Sequence, residues 1–193
     1  MSIRCFAAIL LADTVRDAVA REVDRLRPLS RAVAWVPGEN LHITMRFLGE
    51  QPDARVADAV EALQEAAEGS VPFDLALGGL GGFPSLDRPR VLWVGAVAGA
   101  ADARRLQHQV ADALDRRRFG REERDWHPHV TVGRVFDEPR WRREGAPAVR
   151  AAIQAAPAPV FGSFTVSAIS LVRSQLGRGG ARYTPLATVA LGG

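Results

Sequence analysis

His42-Ile43-Thr44-Met45 and His129-Val130-Thr131-Val132 are the two stretches from which the rest of this 193-residue chain can be placed. Each reads as the start of a strand. Residues i and i+2 of a strand share a face, so each His stands beside its Thr. Ile43, Met45, Val130 and Val132 then point the other way, into a core. The two His and the two Thr are separated by the same 87 positions. Matched spacing of this kind is the mark of an internal repeat.

The segments outward from the two motifs support a repeat. Residues 3–11 are a compact apolar run and suit a core strand. In 13–29, Val15, Val19, Val23 and Leu26 recur at helical spacing, with Asp13 or Thr14 as cap and an end near Pro28. Trp35 to Gly38 marks a turn, and Leu41 to Leu48 a strand. Pro52-Asp53 opens a second helix, with Val56, Val60 and Leu63 on one face and a close near Gly69. Phe73, Leu75 and Leu77 alternate as a strand does. The Gly/Pro-rich stretch 78–90 then reads as a loop between halves. In the second half, Val91–Val97 is a strand and 100–118 an Arg-rich amphipathic helix. His129–Phe136 is a strand, Pro147–Ala156 a short helix, and Val160–Val172 a long strand. A turn at Gly177–Gly180 leads to a last strand, Tyr183–Leu191. The expected fold is α+β: a duplicated, bilobal arrangement of two mainly antiparallel sheets facing a central cleft, with helices packed on the outside. Residues 1–193 form one bilobal catalytic domain, and each half supplies one HxTx motif, at 42–45 and 129–132.

Composition narrows the partners. The formal net charge is only +3, yet the pI is about 10.2, because all 25 basic residues are Arg. Guanidinium keeps its charge well past pH 10. It also matches phosphate geometry, so an anionic partner is plausible, although compositional bias alone explains the Arg content. The single Cys5 forms no intramolecular disulfide, and its apolar surroundings favour an inert thiol over a nucleophile. A cytoplasmic protein is expected. Nothing in the sequence approaches a transmembrane span or a membrane partner. No long apolar helix face lacks a partner, so a monomer is expected.

Two histidines and two threonines suit displacement at a phosphodiester. Attacking and leaving oxygens lie at opposite ends of the phosphorus. One imidazole can take a proton from the nucleophile while the other gives one to the leaving oxygen. The hydroxyls can hold the non-bridging oxygens. Imidazole titrates near neutrality, so one ring can be charged while the other is neutral. This chemistry needs no metal and no cofactor.

At these residues the chain resembles a known family, the bacterial and archaeal RNA 2',3'-cyclic phosphodiesterases, also called 2'-5' RNA ligases, of the two-histidine phosphoesterase superfamily. The stretches that carry the resemblance are RCFAAILLAD (4–13), WVPGENLHITMRFLGE (35–50), FPSLDRPRVLWVG (83–95), WHPHVTVGR (126–134) and LVRSQLGRGGARYTPL (171–186). The resemblance implies a bilobal fold with one motif from each lobe in a water-filled cleft. It implies hydrolysis of an RNA or nucleoside 2',3'-cyclic phosphate to the 2'-phosphomonoester. It further implies that His42 is the proton donor to the leaving 3' oxygen, that His129 is the proton acceptor activating water, and that Thr44 and Thr131 bind the phosphate. A 2'-5' RNA ligase activity is left open.

Further candidates surround the motifs. Arg46 and Arg134 follow them at similar offsets and could neutralise phosphate, the alternative being ion pairs with Glu50 or Asp137. Phe6, Phe83 and Trp126 could stack on a base, the alternative being core packing. His127, in HPH with His129, is expected at the cleft rim, and His108 in solvent. Gly177–Gly180 with Arg178 reads as a hairpin turn, not a phosphate cradle. Rival functions are a non-catalytic RNA- or nucleotide-binding module, a phosphodiesterase of small cyclic nucleotides, and a metallohydrolase using His42, His127 and His129. For the last, no Cys or acidic ligand stands at a recognisable spacing.

Overall fold

The structure is a computed structural model, and it describes residues 2–121, 125–154, 160–177 and 180–192. The elements in chain order are β1 (Ser2–Leu10), α1 (Asp13–Leu26), β2 (Val33–Trp35), β3 (His42–Pro52), α2 (Arg55–Glu68), β4 (Phe73–Phe83), β5 (Val91–Ala98), α3 (Ala100–Arg116), β6 (His129–Val135), α4 (Glu138–Arg140), α5 (Ala146–Gln154), β7 (Val160–Val166), β8 (Ala168–Gly177) and β9 (Gly180–Ala190). A π-turn, Trp141–Gly145, joins α4 to α5. Among the described residues no helix is long and apolar enough to cross a membrane.

The sheet is antiparallel and divides into two four-stranded halves, β9-β8-β1-β3 and β6-β5-β4-β7. They meet at one register pair, Ile43 opposite Val130. Both residues are fully buried. Beyond Val130 the edge of β6 is taken by β2, through pairs running from Val33–Val135 to Trp35–Gly133. The two motifs therefore start side by side, where the two halves join. The helices are amphipathic and bury Val15, Val19 and Val23 of α1, Leu63 of α2, and Leu106, Val110 and Leu114 of α3. Helix α1 packs on β7, α2 on α3 and β8, and α3 on β3. Burial of these apolar faces removes them from water and supplies the main driving force for the fold.

Several boundaries differ from the sequence reading. The residue before α1, Ala12, caps it without a side-chain bond; Asp13 instead accepts from Arg16. The run 160–172 is not one strand. It breaks at Ser167 into β7, on the β4 edge, and β8, on the β1 edge. The two sheet halves therefore exchange strands: β4 of the N-terminal half sits beside β5, and β8-β9 of the C-terminal half beside β1. The end of the helix expected at 147–156 lies outside the described residues, as do positions 178–179 of the expected turn. That turn is bracketed by the last β8–β9 pair, Gly177–Gly180.

Another difference is the glycine-rich stretch. Residues 78–83 are strand, not loop. The indole of Trp93 lies across Gly81: a Cβ there would come within 2.1 Å of the ring, and one at Gly95 within 2.8 Å. The glycines make room for an aromatic ring where side chains would clash, so the strand tolerates its poor local propensity. Gly81→Ala is expected to overpack this contact and lower stability by about 1–3 kcal/mol, read as a fall in Tm.

Candidate active site

Each motif positions its side chains through the pleat and then through a bulge. Ile43, Met45, Val130 and Val132 are at most 1% exposed, on the helix side of the sheet. His42, Thr44, His129 and Thr131 are half-buried on the other face. In β3, Ala8 pairs with Thr44 and Ala7 with Arg46, so Met45 is left over. In β6, Trp93 pairs with Thr131 and Leu92 with Gly133, so Val132 is left over. The fourth residue of each motif is thus a β-bulge, and a bulge reverses the alternation that follows it. Met45 and Arg46 are both buried, and so are Val132 and Gly133. The next residues, Phe47 and Arg134, return to the face of the histidines and are exposed.

This corrects the reading of Arg46. It lies four positions after its His, Arg134 five after its own, and the bulges put those offsets on opposite faces. Arg46 is 3% exposed. Its guanidinium donates to Asp115 at 2.8 Å and to the Gly120 carbonyl. It anchors the end of α3 and does not face the cleft; its ion-pair partner is neither Glu50 nor Asp137. Arg46→Ala leaves Asp115 short of a counter-charge, so a stability loss of roughly 2–4 kcal/mol is expected. The matching kinetic expectation is kcat/KM close to that of the unaltered protein, which an assay of both variants checks. Arg134 has no carboxylate partner among the described residues, and its charge reaches both His42 and His129.

The aromatic candidates also sort differently. Phe6 is 3% exposed. It stacks under His42 at 4.8 Å between ring centroids, which supports that ring and leaves no free face for a base. Trp126 is half-buried against the core. Its Nε1–H donates to the Thr44 carbonyl at 2.8 Å, tying the segment that enters β6 to β3. Phe83 sets its edge against His129 at 5.1 Å. Phe47 is an exposed aromatic on this face, at 53%, tilted against Phe6. Half-buried Tyr183 meets His42 edge-on at 5.2 Å. Sequence reasoning missed both residues. Their signals were the matched stretches 35–50 and 171–186, which contain them. His127 and His108 are exposed.

The two imidazoles are held alike. The Nδ1–H of His42 donates to the Asn40 carbonyl at 2.7 Å, and that of His129 to the His127 carbonyl at 2.7 Å. A carbonyl only accepts, so in both rings Nδ1 keeps its proton and Nε2 becomes the atom that exchanges one. Nε2 of His42 stands 2.9 Å from Thr44 Oγ1. Both histidines titrate below the ordinary imidazole value. Desolvation is the main cause for each, opposed by the carbonyl bond, with the charge of Arg134 adding to the depression. Among the described residues no three His, Cys, Asp or Glu side chains gather into a metal-binding group.

The model of the 2'-5' RNA ligase superfamily matches residues 15–178. An RNA 2',3'-cyclic phosphodiesterase of Aeropyrum pernix is 36% identical over 168 residues, covering 87% of this chain and 92% of the relative. One from Methanothermobacter thermautotrophicus is 34% identical over 186 residues, covering 96% and 97%. Among solved structures, a Thermus thermophilus protein aligns with a TM-score of 0.78 at 31% identity over 99% of both chains. E. coli LigT complexed with 3'-AMP aligns with a TM-score of 0.77 at 26% identity over 99% of both. A match over most of the chain, with both motifs inside it, leaves one conclusion: the chain belongs to the 2'-5' RNA ligase superfamily.

Proposed function

We propose that this chain hydrolyses RNA or nucleoside 2',3'-cyclic phosphate ends to the 2'-phosphomonoester by two-histidine acid–base catalysis, with both halves contributing to a single site. The relatives named as RNA 2',3'-cyclic phosphodiesterases support the reaction. The observation that carries the mechanism is the matched pair of imidazoles, each with Nδ1–H on the carbonyl two residues earlier and a threonine two residues later. His129 Nε2 takes a proton from water as the water attacks phosphorus. The 3' oxygen leaves and receives the Nε2 proton of His42. Thr44 and Thr131 hold the non-bridging oxygens, and Arg134 balances their charge. Phe47 and Tyr183, not Phe6 and Trp126, are the aromatics placed to meet a nucleobase.

Ligation puts an RNA 5' hydroxyl in the place of water. It attacks the 2',3'-cyclic phosphorus and gives its proton to His129, the 3' oxygen leaves with the proton of His42, and a 2'-5' linkage results. A 2'-5' ligase activity therefore belongs to the same proposal. A cytoplasmic location fits a chain whose lone Cys5 is buried, its thiol pushed up to about 11 by desolvation and by Glu50. The test uses a short RNA carrying a 2',3'-cyclic phosphate. Conversion to a 2'-phosphate end is expected. An RNA bound but returned unchanged would mean a binding module instead.

A further inference from the structure

We infer that Asn40 is a positioning residue for His42, fixing the imidazole with its main-chain carbonyl while its own side chain is anchored to the β8–β9 hairpin. The inference rests on the proposed role of His42 as proton donor. Asn40 closes a short 3-10 turn, Gly38–Asn40, just before β3. It is a polar side chain only 9% exposed. A buried amide needs a partner. Its Nδ2–H finds one in the carbonyl of Ala181, at 2.7 Å and 141 residues away in sequence. Its main-chain carbonyl meanwhile accepts the Nδ1–H of His42, also at 2.7 Å.

The bond to Ala181 reaches the strand that carries Tyr183, whose ring meets His42 edge-on at 5.2 Å. Phe6 stacks on His42 at 4.8 Å and touches Tyr183 edge-on at 5.2 Å. One residue therefore ties together the groups that fix the Nδ1 proton and the tilt of the ring. The second motif has the carbonyl bond without the anchor. His129 donates to the carbonyl of His127, and the His127 side chain is exposed. The brace is particular to His42. Orientation of this kind matters because proton transfer needs Nε2 aimed at the leaving oxygen, and a small misplacement of a catalytic group costs rate.

The experiment reads the histidine tautomers by nitrogen-15 NMR in ligand-free protein, for the unaltered chain, Asn40→Ala and Asn40→Asp. Asn40→Asp keeps the shape but turns a carboxylate oxygen toward the Ala181 carbonyl in place of the N–H. The unaltered protein is expected to show His42 with its proton on Nδ1. Both variants are expected to show a mixture of tautomers at His42, with His129 unchanged as the internal control for folding. In turnover, kcat should fall roughly tenfold with KM within about twofold, since orientation and not substrate contact is lost. An unchanged His42 tautomer in both variants overturns the inference. Equal disturbance of His129 also overturns it, since Asn40 would then act on the fold as a whole. The NMR result needs no turnover, so a failure of cyclic-phosphate hydrolysis would count against the proposed function and not against this brace.

Discussion

His42→Ala and His129→Ala are each expected to lower kcat by roughly 10²–10⁴-fold, the usual contribution of a positioned general acid or base. Circular dichroism should show both variants folded. The histidines are half-buried, and the core beneath them is carried by Ile43 and Val130, neither of which is exposed at all. His42→Ala loses contacts with both Phe6 and Tyr183 while His129→Ala loses that with Phe83, so the Tm of His42→Ala should fall further. In the proposed mechanism the two groups act in one displacement. The double variant should therefore be little worse than the poorer single variant, because removing the acid leaves the base with no concerted step to assist. Steady-state rates of the three proteins on one substrate check this. Near-normal turnover in either single variant would contradict the mechanism.

Arg134→Met carries the second large effect, and it shows in two measurements. Arg134 is exposed on the face of the histidines and has no carboxylate partner among the described residues. In its proposed role Arg134 gives phosphate a charged hydrogen bond that methionine cannot make, and kcat/KM should fall roughly 10–100-fold, mostly through KM. The second effect is on pH dependence. In the free protein both imidazoles titrate below their ordinary value, and the charge of Arg134 is one of the causes. Activity needs one ring protonated and one neutral, and kcat/KM reports the free enzyme. The profile should thus be bell-shaped, with its alkaline limb below about pH 6.5. Removing a positive charge makes both rings easier to protonate, so the whole bell moves to higher pH in Arg134→Met. A profile that stays in place would mean that Arg134 does not act on the histidines.

Much of this site was legible in the letters. The period-two pattern placed His42 and Thr44 on one face and Ile43 and Met45 on the other, and the equal spacing paired them with the second motif. What the pattern concealed is the bulge. Met45 and Val132 look like ordinary alternating strand residues, and only the register against β1 and β5 shows that each is unpaired. That single extra residue sends Arg46 into the core beside Asp115 and keeps Arg134 in the cleft. In sequence the two arginines look equivalent, because their offsets from the histidines differ by only one. The positional counterpart of Arg134 is Phe47.

The exchange of strands was hidden for a different reason. Ser167 looks no different from Ser163 and Ser170, which lie inside strands, so nothing in the run announces that β7 and β8 belong to different edges of the sheet. Local propensity misled at 78–83, where glycines that read as a loop are in fact cut away for the ring of Trp93. Tyr183 could not be placed against His42 from sequence, since about 140 residues separate them and only the order β3-β1-β8-β9 brings them together.

The most direct test of the central claim is the identity of the product formed from a nucleoside 2',3'-cyclic monophosphate in EDTA. If His42 protonates the 3' oxygen and His129 activates water, turnover persists in the chelator and only the 2'-phosphate accumulates. Loss of turnover that zinc or manganese restores, or a product carrying its phosphate on the 3' oxygen, would contradict the account.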